Sequence, residues 1–258
     1  KKILRFVDYG KAFKGLVTKA QAIIIENNSS APTDIIECCS ENNVFNRTLD
    51  SFKENPKHIF NFWTNETEAK VIKQLYSIKH ITLKDRAKWA LGIVTGNNKR
   101  FCSNKPQDDY VPIYKGSDIT KSGLKEPSTF IFRDFSNFQQ VAPLEMYHSK
   151  EKLIYKFISS DLCFYCDTKQ RYILNSANLL IPLNIGISAE QLTILLNSEI
   201  INWLFKKLFS THKVLRSDLE LLPIHYEYFS FNQEFTETDY LNYLQIIKTS
   251  DGTYRVKE

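Results

Sequence analysis

The run Trp89-Ala90-Leu91-Gly92-Ile93-Val94-Thr95-Gly96-Asn97-Asn98-Lys99-Arg100-Phe101 gathers polar groups at one loop of the 258-residue chain. An apolar strand leads into a Gly-Asn-Asn turn able to adopt positive φ, followed by two cations and an aromatic anchor. Such a loop offers backbone N–H groups, amides and cations. Amides pair bidentately with adenine, Arg or Lys with guanine, and either cation with phosphate. Taken alone, the loop is better explained as an ordinary polar hairpin.

Other chemistry is thinner. Cys163-Phe164-Tyr165-Cys166 is a single C-x-x-C. It lies in a strand-like run whose alternation points the two thiols to opposite faces, and a structural zinc site wants four ligands, so core cysteines explain it better. Asp50, Glu68 and Lys70 echo the acid-acid-lysine set of metal-dependent nucleases. Glu68 is better placed as the third residue of a helix capping box begun by Asn65. Neither a glycine-rich phosphate loop nor Gly-x-Ser-x-Gly occurs, and His58, His80, His148, His212 and His225 lack metal-helix spacing.

The elements that must position these groups are α+β in kind. Segments 3–8 and 20–26 read as paired strands, and Ile23 to Ile25, without polar alternation, as a strand covered on both faces. Further strands are expected at 34–39 and 58–62, and a capped helix at 66–78 carrying Val71, Ile72 and Leu75 on one face. Short strands then recur at 90–94, 110–114, 129–132, 153–158, 162–166, 172–174 and 179–182. Ser188 and Gln191 open a helix with a second behind it, and a last helix is expected over 238–248.

The charge is uneven. The formal net charge is only +5, yet residues 69–125 hold twelve bases and four acids. Residues 26–68 hold three bases and eight acids, and 219–247 five acids and no base. A basic stretch of this density suits a surface that meets a polyanion such as DNA. Five cysteines, an odd number without framework spacing, fit a reducing compartment. With no signal peptide and no apolar run long enough to span a bilayer, the expected place is the cytoplasm, and no membrane partner is expected. The opening Lys1-Lys2-Ile3, with no initiator, leads one to expect a piece of something longer.

Several motifs in order resemble the TaqI-like C-terminal specificity domain of adenine-specific DNA methyltransferases and fused type II restriction-modification enzymes. They are 92–101, then Ile113-Tyr114-Lys115-Gly116-Ser117-Asp118-Ile119, then Lys152-Leu153-Ile154-Tyr155-Lys156-Phe157-Ile158. Cys166-Asp167-Thr168-Lys169-Gln170-Arg171-Tyr172, Leu174-Asn175-Ser176-Ala177-Asn178, Leu195–Asn202 and 215–224 follow. The resemblance implies a mixed β-sheet target-recognition domain flanked by helices over 86–225. Segment 1–28 resembles the last strands of a truncated Rossmann-like methyltransferase domain. Between them, 29–85 would be a connecting segment with the helix 66–78, and 226–258 a helical extension.

The resemblance also implies double-stranded DNA and an upstream methyltransferase domain of the same polypeptide as partners. Asn97, Asn98, Lys99 and Arg100 would read the bases, with Thr95 and Gly96 in the same DNA-binding loop and Lys115, Lys156, Arg171, Lys213 and Arg216 as phosphate or base contacts. Exposed lysines are also ordinary solvated surface, and Asp118 and Arg216 equally suit structural ion pairs. Such methyltransferases grip a flipped adenine with an Asn/Asp-Pro-Pro-aromatic motif, which this chain lacks, as it lacks the S-adenosylmethionine loop. Catalysis and the cofactor are therefore expected in the upstream domain, this chain being non-catalytic and without cofactor or metal. Whether the parent also cleaves DNA is left open. Two other readings stand beside this one: a divergent nuclease on Asp50, Glu68 and Lys70, and a protein-interaction module docking a partner on Tyr226, Tyr228, Phe229, Phe231 and Phe235.

Overall fold

The computed structural model describes residues 1–15, 19–40, 43–232 and 234–258. By its internal contacts the chain divides into two units, one of residues 1–79, 207–209 and 238–258 and the other of residues 80–206 and 210–237.

In the first unit, β1 (Lys2–Asp8), β2 (Gln21–Glu26), β3 (Ile35–Ser40) and β4 (Asn43–Thr48) form one sheet in the order β2-β1-β3-β4. Strand β1 runs antiparallel to β2 and parallel to β3. Phe6, Ile36, Cys38, Phe52 and Phe62 make its small core, with the Phe6 and Phe62 rings stacked at 4.9 Å. The cover expected for the isoleucine strand is not supplied by the described residues. Strand β2 is an edge strand, and Ile23, Ile24 and Ile25 are 52%, 45% and 48% exposed.

The strand expected at 58–62 does not form either. Pro56 starts a short 3₁₀ turn in which Lys57 and His58 both take φ of 54°, a left-handed geometry incompatible with extension. Helix α1 (Glu66–Ser77) carries the expected capping box, Asn65 accepting from the Glu68 N–H and Glu68 from the Asn65 N–H.

Buried Arg47 ties the loops of this unit together. Its guanidinium donates to Ser51, to Asn61 and Thr64 by both carbonyl and side-chain oxygens, and lies 3.9 Å from the Phe52 ring centre.

The second unit contains β5 (Ala87–Leu91), α2 (Asn98–Phe101), β6 (Cys102–Ser103), β7 (Tyr110–Tyr114), β8 (Ile119–Thr120), β9 (Gly123–Leu124) and β10 (Phe130–Phe132). It continues with α3 (Leu144–Tyr147), β11 (Lys152–Lys156), β12 (Phe164–Asp167), β13 (Tyr172–Ile173), β14 (Ala177–Pro182), α4 (Ala189–Asn197), α5 (Glu199–Leu208), α6 (Arg216–Leu219) and α7 (Tyr228–Phe231). One sheet has the order β12-β11-β14-β5 and a second β13-β7-β10-β6, with β8 and β9 as a separate hairpin.

Ile154, Ala177 and Leu179 of the first sheet share one core with Ile113, Ile131 and Ile173 of the second. Helix α4, opened by the Ser188–Gln191 capping box, packs on β11 and β12 and buries Leu192, Leu195 and Leu196. The result is a mixed α+β unit of small sheets with flanking helices.

The chain ends with α8 (Glu237–Tyr243), β15 (Ile246–Lys248) and β16 (Tyr254–Val256). This corrects the helix expected over 238–248 and the all-helical extension at 226–258. Gln245 takes φ of 55°, which breaks the helix, and β15 then pairs with β16 as a hairpin whose second strand lies on α1.

Candidate nucleic-acid interface

The 95–101 loop is a single turn of helix rather than a hairpin. Gly96, at φ of 77°, reverses the chain. Asn97 then caps α2, its side chain accepting from the Arg100 N–H at 3.1 Å. Buried Thr95 accepts from the Asn97 N–H at 3.1 Å and donates to Asn98 Oδ1 at 2.6 Å. The two amides thus use their oxygens inside the loop. Lys99 and Arg100 remain exposed, with the Arg100 guanidinium 5.0 Å from the Phe101 ring. Phe101 is anchored edge-on to Phe138 at 5.1 Å.

What holds this loop is a turn 80 residues away. The Gly92 N–H donates to Ala177 O and the Ile93 N–H to Ile173 O. A Cβ on Gly92 would lie 2.2 Å from Leu174 O, so glycine is required for the approach. The same turn receives the Lys-Gly-Ser-Asp-Ile segment: the Gly116 N–H donates to Ser176 Oγ at 3.0 Å, and a Cβ there would meet Ser176 O at 2.3 Å. Asp118, buried, accepts from the Lys115 N–H at 2.8 Å. Motif residues 92, 116 and 118 are therefore structural, and they bring Lys115 beside α2.

Asn98, Lys99, Cys102, Asn104, Lys115, Thr129 and Leu174 line a surface cleft of about 330 Å³. Three of the expected DNA contacts meet here. Thr129 and Asn104 carried no local signal, lying in a plain strand-like run and a polar turn. Thr129 is 5% exposed, and its hydroxyl has no hydrogen-bond partner in the protein. Burial pushes the Cys102 thiol up against the pull of Lys115, so it stays neutral beside the lysines.

The other expected contacts lie elsewhere. Lys156 ends β11 and pairs in register with Ala177. Lys213 bridges to Ile158, and its ammonium stands 5.8 Å from the Phe157 ring. Arg216 pairs with Glu220 at 2.7 Å and stands 5.8 Å from the Trp89 ring.

Arg171 belongs to a buried network. Asp167 accepts from Lys152 Nζ at 2.5 Å, from the Arg171 guanidinium at 2.7 Å and from the Arg171 N–H at 2.8 Å. Lys152 also donates to Tyr147 O at 2.7 Å. Burial works against the Asp167 carboxylate, but Lys152 and Arg171 outweigh it and hold its pKa below the ordinary value. Burial pulls Lys152 down.

The alternative sites do not assemble. Glu68 is occupied by its cap and by Lys207 at 2.6 Å, and Asp50 by Lys53 at 3.0 Å. Among the described residues no group of three or more His, Cys, Asp or Glu is placed to hold a metal ion. Cys163 contacts Ile119 O within the core, and both it and Cys166 are free thiols. Of the aromatic cluster, Tyr228 is buried and packs with Phe229 and Phe235, leaving Phe231 82% exposed. No helix among the described residues is long and apolar enough to cross a membrane.

Residues 111–224 match the family described as the TaqI-like C-terminal specificity domain. The matched stretch, less than half of the chain, is similar to that domain. The loop 95–101 lies just before it and is locked to it through Gly92 and Ile93.

The type II methyltransferase M.VspI of Vibrio sp. (strain 343) is 45% identical over 121 residues, which are 47% of this chain and 30% of that protein. The chain thus spans less than a third of the curated relative it matches. Among solved structures, the HsdS subunit from Thermoanaerobacter tengcongensis is similar over 70% of this chain and 43% of its own, at 13% identity and TM-score 0.40. The type IIL restriction-modification enzyme MmeI, solved with DNA, is similar over 86% of this chain and 35% of its own, at 9% identity and TM-score 0.46.

Proposed function

We propose that this chain recognises double-stranded DNA as the target-recognition part of an adenine-specific DNA methyltransferase or restriction-modification enzyme. The observation that carries the proposal is a stretch similar to a specificity domain, with a basic cleft, Asn98, Lys99 and Lys115, locked onto its edge. Phosphate contacts from the lysines would set register and affinity. Exposed Arg100 and the free amide N–H groups of Asn97 and Asn98 would reach base edges. Lys156 and Lys213 extend the basic surface. Arg171 and Arg216, each already paired with a carboxylate, enter only as secondary contacts.

In this proposal residues 86–225 are the recognition domain, and 1–28 are the last strands of a Rossmann-like methyltransferase domain in the same cytoplasmic polypeptide. The half-exposed isoleucines of β2 support that reading, as a face that an upstream domain would cover. S-adenosylmethionine would bind in that upstream domain, because the cleft of this chain, with two lysines, is a poor host for a sulfonium cation. Nothing favours a nuclease or a partner-docking role over this reading.

The test is binding of the chain to duplex DNA at several salt concentrations. Log affinity should fall with log salt by about 0.9 per phosphate neutralised. Affinity that does not respond to salt refutes the proposal.

A further inference from the structure

Thr129 presents an anomaly that DNA recognition in general does not explain. Buried hydroxyls nearly always find a partner, and one left without stands at a cost to folding. Thr129 does so while lining the cleft that also holds Lys99, Lys115 and Asn98.

The free hydrogen-bonding capacity of this cleft is weighted to donors, with the Asn104 carboxamide able to act either way. Asn98 Oδ1 is taken by Thr95, which leaves its NH₂ group, and the two ammonium groups have no acceptor capacity. Leu174 and the neutral Cys102 form an apolar wall, which strengthens any ion pair made against it. A guanine edge also presents two acceptors but carries no charge, whereas a phosphodiester presents acceptors together with one negative charge, which two neighbouring ammonium groups match better.

We propose that this cleft seats one backbone phosphate of duplex DNA, with the Thr129 hydroxyl donating to it beside Lys99, Lys115 and Asn98. The inference rests on the DNA-recognition reading and assigns Thr129 as a contact residue that no local sequence signal marks. Thr129 is a neutral donor and Lys115 a charge, so their removal has different signatures. A mixed-sequence duplex suffices for the test, since phosphate contacts are independent of base sequence.

Fluorescence anisotropy of the 258-residue chain with a duplex of about 20 base pairs, from 50 to 200 mM salt, separates the outcomes. Thr129→Val, which keeps the shape and removes the hydroxyl, should weaken binding roughly tenfold without changing the salt slope. Thr129→Ser should retain the parent affinity. Lys115→Ala should reduce the slope by about 0.9.

The melting temperature of Thr129→Val should equal or exceed that of the parent, so that weakened binding is not misfolding. If the parent binds DNA with the expected salt response but Thr129→Val and Lys115→Ala both match it, the phosphate seat is wrong and the recognition reading survives. If Thr129→Val loses affinity only along with its fold, and Thr129→Ser does no better, the seat is also wrong. A parent that shows no salt-dependent DNA binding overturns both.

Discussion

Replacing Asp167 by Asn tests whether the buried ionic network, rather than the sheets alone, fixes the second unit. The carboxylate is wholly buried and neutralises Lys152, itself wholly buried, while also accepting from Arg171. Asparagine keeps the shape but removes the charge, leaving the Lys152 ammonium with neutral acceptors only, Tyr147 O and the new amide oxygen. Breaking a buried pair from one side costs about 3–5 kcal/mol.

A second bound agrees. Lys152 can escape by shedding its proton, which at pH 7 from an ordinary pKa near 10.5 costs about 5 kcal/mol. In a unit of about 150 residues such a loss lowers the melting temperature by roughly 10 °C. Differential scanning calorimetry across pH adds the signature. The Asp167 pKa is lowered on folding, so its contribution is complete above its unfolded value near 3.8 and is lost as pH falls through the folded value. Parent and variant should therefore converge in acid. Above pH 7 the variant should regain up to about 1.4 kcal/mol per pH unit as Lys152 neutralises. A variant melting within 2–3 °C of the parent at pH 7 would refute the account, since about 1 kcal/mol is all that such a shift represents.

Further outcomes follow from single contacts. Gly92→Ala places a Cβ against the backbone at Leu174 and Ala177, so urea unfolding should report a loss of about 3 kcal/mol, with DNA binding weakened because the 95–101 loop is displaced. Arg47→Ala strips donors from Asn61 and Thr64 and should cost about 3 kcal/mol, whereas a loss below 1 kcal/mol would mean that water replaces the guanidinium. Burial pushes the Cys38 and Cys166 thiols to about 11, so at pH 8 both should resist a thiol-labelling reagent in the folded chain and react once it is unfolded. Rapid labelling of either in the native chain would contradict the raised pKa of its thiol.

What the sequence determined by itself was mostly local. The capping boxes at Asn65–Glu68 and Ser188–Gln191 formed where their spacing placed them, because both partners lie within one turn. The paired strands β1 and β2, and the strands β7, β11 and β14, followed from short β-branched runs between turn residues. The ordered motifs stood out because Gly92 and Gly116 permit close backbone approaches and Asp118 and Asp167 anchor buried hydrogen bonds.

Local patterning failed where backbone sign or distant partners decided. Lys57, His58 and Gln245 took left-handed conformations that ended a strand and a helix, which apolar periodicity does not encode. The isoleucines of β2 read as covered because composition reports hydrophobicity, whereas exposure depends on which strands stand beside them.

The candidate site shows the same division. Lys99, Arg100 and Lys115 were legible as cations. That Lys115 shares a cleft with Asn98 and with an unpaired Thr129 hydroxyl, while Arg171 is drawn into the Lys152–Asp167 pair, was decided only in three dimensions. Those groups come together through the turn at 174–178 and the register of β7, β11 and β14, and a single chain read in order carries no signal for which groups its folding will bring together.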